Sequence, residues 1–197
     1  MVPSLTETMA TVSASLFDVE PLVVGPGART GLEVRYEPAS HLGSDRILDA
    51  VAARAKLGAP VIVVDFGTAT TITVVAADGA LVGGAIAPGV GVAAEALARF
   101  GARLTRIDLA ARRALPVVGS NTEASMRSGV LHGHAALVEG LLARMQSELM
   151  GAGYGRAPVV ATGGMSGVIA PLTDAIDLSD PDLTLDGLCL IHALNRS

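Results

Sequence analysis

The chain has 197 residues, of which 50% are hydrophobic and only 17% charged, with a formal net charge of −5. Such a chain buries a substantial core, which excludes intrinsic disorder, and its length suits one large or two small domains. The apolar residues come in short runs, none near the ~20 needed to span a bilayer, and no basic segment followed by an apolar one opens the chain. A cytoplasmic protein with no membrane partner is expected. Three Phe, two Tyr and no Trp leave no stacking platform, and the acidic balance leaves no basic face, so a nucleic-acid partner is not expected either. Arg99, Arg103, Arg106, Arg112 and Arg113 read as a solvated face. The one cysteine, Cys189, excludes an internal disulfide and a cysteine-clustered zinc site. Flanked by Leu188 and Leu190, it reads as a small buried hydrophobe.

In chain order, Leu5, Met9, Val12 and Leu16 recur at helical spacing and predict a helix over 3–17. Leu22-Val23-Val24 reads as a short strand stopped by Gly25-Pro26-Gly27, and Leu32–Tyr36 as an extended piece within a connection. A second helix begins near Ser44 as N-cap, carries Ile47, Leu48, Val51 and Ala55 on one side, and stops at Gly58. Pro60–Asp65 is an apolar run closed by an acid, the pattern of a buried strand. Thr71–Ala76 and Leu81–Ala87 follow as strands, and Asp78-Gly79 between them signals a hairpin. Helical patterns occupy about 90–100 and 121–149, Pro158–Thr162 is another buried strand, and a last helix fits roughly 184–194. From residue 60 the order is β-β-β-α-α-β-α, an antiparallel meander extended by an α/β unit. The boundary falls at Gly58-Ala59-Pro60, dividing the chain into 1–58 and 59–197.

The segment richest in chemistry is Asp65-Phe66-Gly67-Thr68-Ala69-Thr70-Thr71. An acid at the end of a buried strand calls for a cation or donors. Gly67 permits a tight turn and close approach to a ligand, and the amides and hydroxyls that follow can donate to phosphate oxygens. An ordinary turn rich in threonine for its strand propensity is the plainer alternative. No G-x-x-x-x-G-K-[ST] occurs, and no strand leads into G-x-G-x-x-G, which excludes a P-loop kinase and a Rossmann dinucleotide site. Asp45-Arg46 alone reads as a first-turn acid beside a solvated arginine, and Asn121-Thr122-Glu123 as a helix cap. Gly163-Gly164 fits an adenosine pocket or the end of a strand equally well. The remaining arginines read as surface and the methionines, such as Met126 and Met145, as core. His132 and His134 sit on different helix faces and do not suit a shared metal.

Taken together, Asp65–Thr71 resembles the second phosphate loop of the acetate kinase, sugar kinase, heat-shock chaperone and actin superfamily. The chain is more narrowly similar to type III pantothenate kinases over almost its whole length. The similarity runs through Glu20–Gly27, Gly43-Ser44-Asp45-Arg46, Val64–Thr71, Gly83–Gly89, Asn121-Thr122 with Ser128-Gly129, Ala161–Gly164 and Asp180–Leu188. It implies an α/β ribonuclease H-like fold of the actin and sugar-kinase type and ATP-dependent phosphorylation of pantothenate in coenzyme A biosynthesis. Within that resemblance Asp45 matches the general base, and Gly43, Ser44, Asp45, Arg46 and Thr122 match substrate-binding positions, with Ser44 where the family usually has Ala. Asp65 matches the ligand of a monovalent cation, potassium or ammonium. Gly67, Thr68, Gly163 and Gly164 match the ATP site, to which Mg2+ belongs.

The resemblance also implies a dimer, and an opening Asp-x-Gly-Asn-Thr phosphate loop that does not occur in this sequence. The expectation is therefore one complete half, 59–197, and a truncated first half, 1–58, carrying the substrate segment. A heteromer in which another chain supplies the missing loop, or a noncatalytic subunit, follows as an alternative to a homodimer. A different small-molecule kinase of the same superfamily is a weaker alternative.

Overall fold

The computed structural model describes residues 5–25, 27–101, 104–110 and 115–196. One mixed sheet organises them. Its strands are β1 (Val61–Phe66), β2 (Ala69–Val75), β3 (Leu81–Pro88), β4 (Val159–Thr162) and β5 (Leu178–Ser179), in the order β3-β2-β1-β4-β5. β1, β2 and β3 run antiparallel, whereas β4 pairs parallel to β1 and β5 parallel to β4. The Asp78-Gly79 turn joins β2 to β3 as expected: Gly79 adopts φ 87°, and the Asp78 carboxylate accepts from the Ala80 amide at 3.1 Å.

Alternation along β1 explains why both faces of the sheet are covered. Val61 and Val63 pack with Leu48 and Val51 of α2 (Ser44–Leu57) and with Leu183 and Ile191 of α6 (Leu183–Asn195). Ile62, Val64 and Phe66 pack on the opposite side, with Val90 and Ala94 of α3 (Val90–Phe100) and Val130, Leu131, Val138 and Leu142 of α4 (Thr122–Gly151). Gly187 lets α2 and α6 meet backbone to backbone, since a Cβ there would stand 2.1 Å from the Leu48 carbonyl oxygen. The boundary expected at 58/59 falls where Gly58, at φ 81°, ends α2. The helix before it and the strand after it share one core.

Several expectations shift. The N-terminal helix α1 spans Thr6–Phe17, but Leu22–Val24 forms no strand: no ladder runs beside it, and only Val24 of the three is buried. Leu32–Tyr36 makes a single parallel bridge, Val34 to Leu81. The N-cap of α2 is Gly43, in extended conformation, so Ser44 is the first helical residue. Asn121 does cap α4, accepting from the Ala124 amide at 2.9 Å. The short helix α5 (Ser166–Ile169) and β5 were not expected. Cys189 is exposed and not buried, because Leu183, Gly187 and Ile191 turn inward and place it on the outer side of α6. Among the described residues no helix is long and apolar enough to cross a membrane.

Candidate active site

The first turn of α2 is built around a bare N-cap. A Cβ on Gly43 would lie 2.4 Å from Asp45 Oδ1, so glycine leaves the carboxylate its space. Asp45 is half-buried, and its Oδ1 accepts from the Arg46 amide at 2.8 Å.

Arg46 is not solvated as its sequence context suggested; it is 4% exposed. Because α2 lies flat on the sheet, this side chain reaches under the helix. Its Nε donates to Thr73 Oγ1 of β2 at 3.0 Å, and its guanidinium carbon sits 5.2 Å from the centre of the Tyr36 ring. A hydroxyl and an aromatic face offset part of the desolvation. Arg46 Nη2 remains buried with no hydrogen-bond partner. Arg127 is a second buried arginine, held by the carbonyls of Asp108 and Ala110.

Asp65 stands at the end of β1 on the face that α2 covers. It is half-buried and lies in register with Thr71 of β2 and Thr162 of β4. Burial pushes its carboxyl above the usual carboxylate range, and the negative charge of Asp45 adds to that. The two acids therefore sense each other across the α2–sheet interface. Thr162 Oγ1, on the same face by register, is buried and without a hydrogen-bond partner. Beyond Asp65 the chain turns tightly, with the Gly67 amide donating to the Ala69 carbonyl at 3.1 Å.

Two further glycines fix this bend. Gly89, the N-cap of α3, donates its amide to the Thr68 carbonyl at 3.0 Å, and a Cβ there would stand 2.3 Å from that same oxygen. Gly163, at φ 88°, closes from the other side, where a Cβ would meet Asp65 Oδ1 at 2.2 Å and the Phe66 backbone at 2.7 Å. Thr68 is exposed at the apex, and Gly164 faces open space. Thr70 departs from its expected role of phosphate donor. It projects to the other side of the sheet, where its hydroxyl pairs with His134 Nε2 at 2.8 Å.

One chain thus brings together Gly43, Ser44, Asp45 and Arg46 on α2 with Asp65, Gly67, Thr68 and Gly163 at the ends of β1 and β4. Thr122 is exposed at the start of α4, and none of these contacts reaches it. The sequence reading missed Asp49, one helical turn after Asp45. It is 2% exposed and accepts from Thr184 Oγ1 of α6 at 2.6 Å. Burial pushes its carboxyl up to about 7, against the Thr184 hydrogen bond, and Asp65 and Asp45 raise it further. The i, i+4 spacing of Asp45 and Asp49 was the available signal.

The donor set fits a phosphorylated ligand and a weakly held cation. The hydroxyl of the exposed Thr68 at the apex can face phosphate oxygens. Asp65 with the orphaned Thr162 hydroxyl offers oxygen ligands only. No group of three or more His, Cys, Asp or Glu side chains among the described residues is arranged to hold a metal ion.

Residues 1–144 match the family model of type III pantothenate kinase. A type III pantothenate kinase of a Roseiflexus species is 48% identical over 197 residues, covering 100% of this chain and 75% of that protein. The Moorella thermoacetica protein of the same name is 44% identical over 195 residues, with 99% and 74% covered. Among solved structures, a Campylobacter jejuni protein described as a Baf family transcriptional activator superposes with a TM-score of 0.64 at 19% identity. It covers 98% of this chain and 79% of that one, a likeness of fold alone. The acid-ended strand, the glycine-braced bend and the aspartate opening α2 lie within the matched residues, and the chain belongs to the type III pantothenate kinase family.

Proposed function

We propose that this chain transfers the terminal phosphoryl group of ATP, supplied as its Mg2+ complex, to the primary hydroxyl of pantothenate. The product is 4'-phosphopantothenate, on the route to coenzyme A. The observation that carries this reading is the facing of Asp45 and Asp65 across the α2–sheet interface in a chain of this family.

Phosphoryl transfer depends on positioning and charge more than on a strong base, so an ionised aspartate suffices to orient the alcohol and take its proton. Asp45 has that role. Gly43 and Ser44 line the acceptor side, and Arg46 Nη2 keeps both its N–H donors unpaired, which suits an acceptor carrying a carboxylate. Gly67 and Thr68 receive the phosphates, while Gly163 closes against Asp65 and Phe66 and Gly164 beside it leaves room for the nucleoside. Asp65, with Thr162, would hold a monovalent cation, potassium or ammonium. When bound, that ion supplies positive charge beside the phosphoryl oxygens.

The sheet order, with its antiparallel meander continued by parallel strands, supports a ribonuclease H-like half of the actin and sugar-kinase type. Residues 59–197 form the body of that half, with α2 packed on its sheet, and 1–58 correspond in sequence to its partner half. Thr122 completes the pantothenate site in an assembly, a homodimer or a heteromer with a family chain bearing Asp-x-Gly-Asn-Thr. The chain acts in the cytoplasm.

The test incubates purified full chain with ATP, Mg2+, K+ and pantothenate, alone and mixed with such a family chain, and follows 4'-phosphopantothenate by mass spectrometry. Product from the chain alone is the expected outcome, and product only in the mixture assigns the heteromer. Absence of product in both, from folded material, overturns the proposal.

A further inference from the structure

We propose that His134 is a positioning residue for the phosphate loop, holding the base of the Gly67-Thr68 bend from the side of the sheet opposite the site. The inference rests on the reading of that bend as the phosphate-binding element.

His134 lies in the middle of α4 and is 6% exposed. It touches both strands that enter the bend. Its Nε2 lies 2.8 Å from Thr70 Oγ1, and its ring packs against Phe66 with centroids 6.1 Å apart and planes tilted by 56°. Phe66 and Thr70 are themselves a cross-strand pair, the last before the turn. The ring therefore bridges the two residues that set the width and twist of the hairpin mouth.

Thr70 is 1% exposed, so its hydroxyl depends on this ring nitrogen for its hydrogen bond; unpaired, it would favour a rearrangement that brings it to water. Burial also keeps the imidazole's proton affinity below its ordinary value, which favours the neutral ring here. The other supports of the bend are backbone hydrogen bonds from Gly89 and Met165 to Thr68 and Phe66. They fix its position from α3 and from the β4 end, the β3 ladder holds β2 as far as Ala69 and Pro88, and His134 adds the side-chain tie across the hairpin mouth. The same helix starts at Thr122, so α4 connects the acceptor-side residue to the loop through roughly 18 Å of continuous backbone.

The experiment compares His134→Phe, which keeps a ring against Phe66 but removes the nitrogen, His134→Gln, which returns an amide nitrogen near the same place, and Thr70→Val. Amide hydrogen exchange is measured on the full chain without nucleotide, and KM is measured for ATP and for pantothenate. In His134→Phe, exchange at residues 67–70 should rise about tenfold while β3 and α6 stay protected. KM for ATP should rise by a similar factor, with that for pantothenate within about twofold. His134→Gln should return both toward the parent, and the Phe/Val double variant should be no worse than His134→Phe alone.

Unchanged exchange at 67–70, loosening spread evenly over the chain, or equal rises in both KM values without rescue by Gln would overturn the proposal. The exchange arm does not require turnover, so an inactive parent counts against the proposed function and leaves this inference to be decided by exchange. If His134→Phe does not fold, Thr70→Val must loosen the same residues or the proposal fails.

Discussion

Replacing Asp49 by Asn should stabilise the protein in alkaline solution and do almost nothing in acid. In the native chain the Asp49 carboxyl ionises at about 7, against 3.8 for an ordinary aspartate, chiefly because it is buried. Between those values the folded chain holds a proton that the unfolded chain has released, so stability falls as pH rises. The contribution is complete below about 3.8 and lost as pH climbs through 7. Converted at 1.36 kcal/mol per pKa unit, the shift sets an upper bound of about 4 kcal/mol on what the ionised group costs the fold well above neutrality.

Asparagine is neutral throughout and keeps an acceptor for the Thr184 hydroxyl, so it removes the electrostatic part alone. Urea unfolding followed by circular dichroism at about pH 3.5, below the unfolded value, and about pH 8.5 checks this. At the higher pH the variant should gain about 2 to 4 kcal/mol, an upward Tm shift of roughly 5–15 °C for a chain of this size. At the lower pH the two proteins should agree within about 0.5 kcal/mol. An equal difference at both pH values, or a less stable variant at high pH, would refute the argument from burial.

Asp45→Asn should lower kcat by about 10² to 10⁴ with an unchanged circular dichroism spectrum, and full turnover would remove Asp45 as the proton acceptor. Gly163→Ala should cost about 1–3 kcal/mol in urea unfolding, since its Cβ meets Asp65 Oδ1 at 2.2 Å in a positive-φ position. Gly89→Ala, pressing on the Thr68 carbonyl, should weaken ATP binding by calorimetry about tenfold or more without a comparable effect on pantothenate. Burial depresses the His134 pKa below 6.5, so its contribution to stability is present above 6.5 and lost as pH falls through the lower native value. His134→Gln should flatten that acid limb, and an unaltered limb would remove the assignment.

The meander and its hairpin were legible because their signals are local: an apolar run, a two-residue period and Asp-Gly at the turn. The Asp65 bend was legible for the same reason, as an acid, a glycine and threonines in sequence. What escaped was set by distant partners. Leu22–Val24 has the composition of a strand and no ladder to join. β5 is two exposed residues whose strand character comes only from pairing with β4. α6 is apolar around most of its circumference, so nothing in the sequence said that Gly187 would face α2 and Cys189 the outside. The burial of Arg46 depends on Thr73 and Tyr36, 27 residues ahead in the chain and ten behind, and no spacing rule links the three.

The helix carrying Asp45 and the strand carrying Asp65 are consecutive in the chain and are cemented by common packing. Asp45 and Asp65, which we propose as proton acceptor and cation ligand, consequently travel as one body. Any motion that admits or releases reactants changes their access to a fixed pair, leaving the spacing of the pair untouched. Selection on opening and closing rates can then act on other parts of the molecule without detuning the chemistry.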